Sequence, residues 1–279
     1  MMKRNHLSHR SVLSLTGKER LTFLQGLITN DVLSLKNGEI CWAALLNAQG
    51  RIQSLFFVFG TPDALFLDLP DDHAETVMKQ LKRFRLRADV TIELTSLTVL
   101  SGSCKDPQPS HALCCARDPR HPHLGWRALA DHSSESDDKG EGDAVFQRRR
   151  LALGIPEMAD LGAPGQTLAL EANLDALNGV SWEKGCYLGQ EVTARMHYRA
   201  HAKRRLLPVI LPDDASFSCG DDIFSHDQHI GTLRSTCGPY GLAMVHRDAW
   251  NNNNLHIKER TIQLVWPEWL PTTLRPEKG

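Results

Sequence analysis

Cys186 stands alone in the stretch Glu-Lys-Gly-Cys-Tyr-Leu-Gly-Gln-Glu-Val-Thr-Ala-Arg, residues 183–195, with Lys184 two positions before it. A thiol attacks or ligates as its thiolate, which a nearby ammonium and the positive end of a following helix both favour. Lys184 supplies the first, and a helix expected to open at about Gly189–Gln190 supplies the second. Gly185 and Gly189 allow the backbone to turn tightly and to come close to a ligand. Glu191 and Arg195 have the four-residue spacing of an ion pair along a helix. A lone cysteine is otherwise a small buried hydrophobe. That reading covers Cys41, Cys104, Cys114, Cys115, Cys219 and Cys237. For Cys186, a reactive role and a structural role both stay open on the residues alone.

Other chemistries lack their residues. A zinc site needs about four ligands, and no Cys/His set has zinc-finger spacing. His197 and His201 are four apart, but no Glu follows the first, so two solvated histidines are expected. No phosphate-binding GxxxxGK[ST] or GxGxxG occurs. The stretch 79–87 carries five basic residues in nine, Lys79, Lys82, Arg83, Arg85 and Arg87. It reads as a solvated helix face in preference to a polyanion contact. The net charge is −1 and the pI about 6.9, so no global pull toward nucleic acid follows. No apolar run reaches the ~18 residues of a membrane span. The basic N-terminus lacks the apolar core of a secretory signal. Seven irregularly spaced cysteines suggest free thiols in a reducing compartment.

These residues need elements to place them. Thr16 to Glu19 has capping-box spacing, ahead of a helix that carries Leu21, Leu24 and Ile28 on one face and ends near Asn30-Asp31. Residues 42–60 read as strand, turn and strand, and 64–69 as a further strand. An amphipathic helix follows at 71–86, capped by Asp71 or Asp72, with Ala74, Val77, Met78, Leu81 and Phe84 as its buried stripe. Strands are expected at 89–95, 97–102 and 111–117, which makes 43–117 a small α+β sandwich. The acidic, Ser- and Gly-rich stretch 131–143 reads as an exposed connection. A helix at 144–154 ends at Gly154. From Leu206 onward short strands alternate with turns, Asn251–Asn254 being the clearest, the pattern of a small β-barrel.

The motif Lys184-Gly185-Cys186-Tyr187-Leu188-Gly189-Gln190-Glu191 resembles the signature of the YgfZ family, folate-binding proteins related to the glycine-cleavage T-protein. The family includes the mitochondrial iron–sulfur assembly factors. The resemblance continues in 23–32, 44–52, 153–157, 168–195 and 203–209, in the family's order. It covers nearly the whole chain, and the mitochondrial branch is the closer one. It implies an α+β, T-protein-like ring of two ferredoxin-like α+β domains and a C-terminal β-barrel. The domains would be 1–49 with 142–204, an inserted 50–141, and 205–279. It implies tetrahydrofolate or a derivative as cofactor. Glu171 would bind the pterin, because a carboxylate takes two parallel hydrogen bonds from the 2-amino group and a ring N–H. Phe146 lies where a relative has a folate-binding aromatic, and a core phenylalanine is an equal reading.

The implied function is assembly or repair of iron–sulfur proteins, with tRNA modification affected through client enzymes. Cys186 would be the essential residue, through thiol chemistry or as a transient cluster ligand, with no intrinsic metal. Lys184 would tune it, while Tyr187, Gln190 and Glu191 shape its loop. Partners would be iron–sulfur assembly proteins and client enzymes, with neither membrane nor direct nucleic-acid binding, and the chain a monomer. The compartment would be the cytoplasm of a bacterium or the mitochondrial matrix of a eukaryote. The rival reading is a tetrahydrofolate-dependent aminomethyltransferase. Against it, the acid pair of T-proteins reads Gln53-Ser54 here, and neither side chain serves as a general acid or base. A second departure is Ala200, where the family pattern leads one to expect glycine.

Overall fold

The computed structural model describes residues 5–131, 142–199, 202–213, 216–252 and 254–275. The expected acidic connection falls almost wholly outside them, as do Ala200 and His201.

The first part of the chain runs β1 (Asn5–His6), β2 (Arg10–Thr16), α1 (Arg20–Gln25), β3 (Ile40–Leu46), β4 (Ile52–Gly60), β5 (Leu65–Pro70), α2 (Asp71–Arg85), β6 (Thr91–Leu94), β7 (Leu97–Gly102), β8 (Cys114–Arg117) and β9 (Trp126–Asp131). The strands form a five-stranded sheet, β3-β4-β5-β2-β6, and a four-stranded sheet, β1-β7-β9-β8. Alternation within the strands sends Leu13, Leu15, Phe56, Val58, Leu67 and Leu69 into one apolar cluster with Ala74, Val77 and Leu81 of α2. Phe84 of the expected stripe is instead 38% exposed. The hairpin β3–β4 is paired from Ile40↔Phe59 to Leu46↔Ile52. A domain boundary at 49/50 would cut this hairpin, and the sheet runs through it.

Two expected helix caps are not used. Thr16 ends β2, paired with Thr91. Gly17 then turns with φ +101°, where a Cβ would lie 2.2 Å from the Asp89 carbonyl oxygen. Glu19 accepts from the Asp89 backbone N–H at 2.7 Å and gives α1 no side-chain cap. The motif is therefore a strand-end turn locked against residue 89. Helix α1 stops at Gln25, well before Asn30. Helix α2 likewise begins after Pro70 without a side-chain cap, since Asp71 is engaged by the Ser11 hydroxyl.

The chain divides into two units, 1–146 with 178–190, and 147–177 with 191–279. This differs from the expected grouping of 142–204 with the N-terminal segment. The second unit holds most of α3 (Gly142–Leu153) and α4 (Gln190–Tyr198), then β10 (Arg204–Ile210), β11 (Asp222–Ser225), β12 (Gln228–Cys237), β13 (Tyr240–His246), β14 (Leu255–Ile257) and β15 (Arg260–Leu264). These six strands close into a barrel in the order β10-β13-β12-β11-β14-β15. Closure comes from Val209↔Leu264 and Ile210↔Gln263. Leu207, Val209, Ile223, Leu233, Val245, Trp250 and Ile262 fill it.

In the first unit a buried ion cluster ties the two sheets. Asp68 on β5 is fully buried and accepts from Arg10 Nε on β2 and Arg127 Nε on β9, each at 2.6 Å. The Arg127 guanidinium lies 4.0 Å from the Phe57 ring centroid, and that of Arg120, itself paired with Asp118, lies 4.7 Å away. Burial works to raise the Asp68 pKa, but Arg10 and Arg127 override it and hold the carboxyl below its usual range. A depressed carboxyl stabilises the fold above its unfolded value of about 3.9, and this contribution is lost as pH falls through the folded value. Asp68→Asn should therefore cost ~3–5 kcal/mol near neutral pH in urea unfolding. The gap to the parent should narrow below about pH 4. An unchanged unfolding midpoint at neutral pH would show that the cluster does not hold the sheets.

Candidate functional site

Helix α1 ends after six residues and leaves backbone carbonyls that need donors. Residues 178–188 lie along this end. Thr29 donates its hydroxyl to the Gly179 carbonyl at 2.6 Å, Ser181 N–H donates to Thr29 at 3.0 Å, and Leu188 N–H to Gly26 at 3.2 Å. Asn30 Nδ2 bridges the Trp42 and Asn178 carbonyls at 2.7 and 2.8 Å.

Lys184 closes the arrangement. Its Nζ donates to the carbonyls of Gln25 at 2.7 Å, Ile28 at 2.8 Å and Asn30 at 2.7 Å. An ammonium has three donors, and all three are used. The group is buried. Desolvation pulls its pKa down from 10.5 to about 8, against the pull of Asp31 and Cys41 toward the charged form. Lys184 has a role that its place in the sequence does not announce: it anchors the loop, its ammonium bound to the end of α1 beside Asp31 and Cys41.

Tyr187 is the second anchor, 7% exposed, with its ring centroid 5.2 Å from the Lys184 ammonium. Between the anchors Gly185 and Cys186 are exposed. The motif thus alternates buried, exposed, exposed, buried, and it presents the thiol on a two-residue crest. Gly189 fixes the far end. Its φ is +80°, and a Cβ there would sit 2.5 Å from the Asn47 carbonyl oxygen and 3.2 Å from Gly50 Cα. Only glycine fits against that β3–β4 turn. Gly185 differs, because a Cβ there would meet nothing within 4 Å. Helix α4 opens at Gln190, as expected. Glu191 and Arg195 are both exposed and form no ion pair among the described residues, so the expected pairing is absent.

A groove of about 710 Å³ borders the anchor, lined in part by Asp31, Cys41, Asn178, Val180, Ser181 and Glu183. Hydrogen bonds from Gln25 and backbone N–H groups outweigh burial and hold the Asp31 carboxyl low, so it is charged. Burial pushes the Cys41 thiol up to about 12, in spite of Lys184, and keeps it protonated. Sequence reading missed this lining. Its signal was the polar run Thr29-Asn30-Asp31 directly after an apolar helix.

The other singled-out residues lie as follows. Glu171, in the second unit, is 6% exposed; it accepts from Arg204 Nε at 2.7 Å and from the Leu168 N–H at 2.9 Å. Phe146, in the first unit, is 1% exposed, with the Arg127 guanidinium 5.8 Å from its ring centroid. Ser54 is fully buried and Gln53 half-buried. His197 packs edge-on against Tyr198. No group of three or more His, Cys, Asp or Glu suited to a metal occurs among the described residues. Cys104 and Cys219 are exposed like Cys186, so exposure does not set Cys186 apart; its mounting does.

Lys184→Met should leave three carbonyls without their donor and cost ~1–3 kcal/mol in chemical unfolding. Lys184→Arg should not restore it, because a planar fork cannot reach three carbonyls that converge on a point. Full stability in Lys184→Arg would mean that charge alone is required.

Comparison with known proteins places this geometry. Residues 203–272 match the family model described as CAF17, C-terminal beta-barrel domain. The mouse (Mus musculus) mitochondrial iron–sulfur cluster assembly factor IBA57 is 32% identical, the alignment covering 96% of this chain and 86% of the mouse protein. The human protein of the same name is 29% identical over 95% of this chain and 85% of its own length. The Neurospora crassa homolog is 30% identical, and there the chain spans about half the relative, 53% of its length. Among solved structures, glycine cleavage system aminomethyltransferase T from Bartonella henselae superposes with a TM-score of 0.78 over 96% of this chain and 86% of that one. Identity there is 15%, so the likeness is one of fold: the chain has the T-protein fold. By its likeness to the mouse protein over almost all of both chains, the chain belongs to the family of IBA57 iron–sulfur cluster assembly factors.

Proposed function

We propose that this protein is a folate-binding factor for assembly or repair of iron–sulfur proteins, with Cys186 as its working residue. The observation that carries the reading is the crest. A buried lysine and a buried tyrosine hold an exposed thiol in a fixed place, in a chain whose relatives bear the name of iron–sulfur assembly factors. One thiolate is one cluster ligand. A cluster handled here would take its other ligands from a partner, so transient ligation and thiol exchange both need an open approach. Gly185 supports that approach: the fold does not require a glycine there, while a partner close to the thiol would. Assembly proteins and client enzymes are the partners this implies, tRNA-modifying enzymes among the clients. The compartment would be the mitochondrial matrix in a eukaryote, the named relatives being mitochondrial, or the cytoplasm in a bacterium.

For folate, Glu171 is the residue the family resemblance points to. Its carboxylate accepts from the Arg204 fork and the Leu168 N–H. These bonds take three of a carboxylate's about four lone-pair sites, so the paired donors of a pterin would bind by displacing the Arg204 fork. Bound tetrahydrofolate would supply a one-carbon carrier or a reductant; the chain's part is to bind and orient it. The T-protein fold raises aminomethyl transfer as a second reading. Gln53 and Ser54 offer that chemistry no carboxylate, so no methylenetetrahydrofolate should form from an aminomethylated lipoyl carrier.

In a strain lacking this factor, the parent gene should restore iron–sulfur enzyme activity and Cys186→Ser should not. Cys104→Ser and Cys219→Ser, at thiols that are also exposed, should restore it. Complementation by the Cys186→Ser variant would make the crest structural. Glu171→Ala should weaken tetrahydrofolate binding by ~1.5–3 kcal/mol in calorimetry, and unchanged affinity would remove Glu171 from the site.

A further inference from the structure

We propose that the C-terminal tip of α2 docks the protein reversibly on an anionic membrane surface. Six consecutive residues there, Lys82, Arg83, Phe84, Arg85, Leu86 and Arg87, are exposed. Leu86 is 86% exposed and Phe84 38%. Lys79 pairs with Glu75 one turn back, but Lys82, Arg83 and Arg87 have no ion-pair partner among the described residues. Glu19 accepts from the Asp89 N–H, and Arg85 reaches the Val90 carbonyl at 3.3 Å. Asp89, two residues beyond Arg87, is itself exposed, which leaves one acid beside four cations.

The helix dipole accounts for cations in a last turn. It does not account for Leu86. That residue caps the helix with φ 47° and ψ −105°, a region where glycine is at ease and a leucine is crowded. An exposed apolar side chain on a strained backbone gains nothing in the free protein. The gain comes if Leu86 is covered. A side chain 86% exposed protrudes, so it suits a flat and penetrable surface. Phosphate headgroups would meet the four cations, while Leu86 and the edge of Phe84 enter between them. An RNA strand would use the cations and leave the aliphatic Leu86 idle, because bases stack on aromatic faces. No spanning segment is needed for such contact, so the lack of an apolar run in the sequence does not oppose it.

The test is flotation of the full chain with vesicles of equal parts phosphatidylcholine and phosphatidylglycerol, beside pure phosphatidylcholine. The protein should float with the anionic vesicles, not with the neutral ones, and raised salt should release it. Lys82→Glu with Arg83→Glu should abolish flotation, each cation lost being worth about fivefold. Leu86→Gly should unfold at the same or a higher temperature, yet bind roughly tenfold more weakly. Failure of the parent to float overturns the proposal, as does undiminished binding by Leu86→Gly. Binding of tRNA that is lost on charge reversal, without vesicle binding, would reassign the tip to nucleic acid.

Discussion

The presentation of Cys186 depends on one buried ammonium. Lys184 brings three donors to three carbonyls at the end of α1, and the residues on either side are placed as a consequence. A charged hydrogen-bond donor in a low-dielectric site is strong when every proton is used and costly when one is not. The fall of its pKa to about 8 shows how far burial already works against the charge. The chain offsets this with the full set of acceptors and with Asp31. At the other end of the crest, Gly189 is pressed against the β3–β4 turn and admits no side chain. The thiol is thus held between a polar pin and a steric one, both set in the first unit.

Much of this was legible in the residues. The Cys186 motif, its helix starting at Gln190, the amphipathic α2 and the β-rich C-terminal module all follow from spacing and periodicity. The role of Lys184 did not. Nearness along the chain sets where two Cα atoms lie, but a lysine ends four carbons further on. Its acceptors lie more than 150 positions away in sequence. The turn at Thr16–Glu19 misled for a related reason. Its capping spacing is a local preference, and the pairing of Thr16 with Thr91 overrides it. Strand β9 went unread because Arg127 interrupts its apolar run. That arginine faces Asp68 inside the protein, and no local pattern announces a buried charge pair.

The T-protein fold is present, and where the family resemblance leads one to expect an acid pair, β4 holds Gln53 and Ser54. Burial adds to the difference in residue type. Ser54 is fully buried, paired across the hairpin with Leu45, and its neighbours on that face, Phe56 and Val58, belong to the apolar cluster. A carboxylate at 54 would be stripped of water there, and its charged form would be penalised by several kcal/mol as in any dry site. Restoring an acid at that position alone would therefore yield a protonated, idle group or a weakened core. The apolar face of β4 and the crest that carries Cys186 differ in the same respect: an acid at 54 would have no water around it, while the thiol at 186 stands exposed.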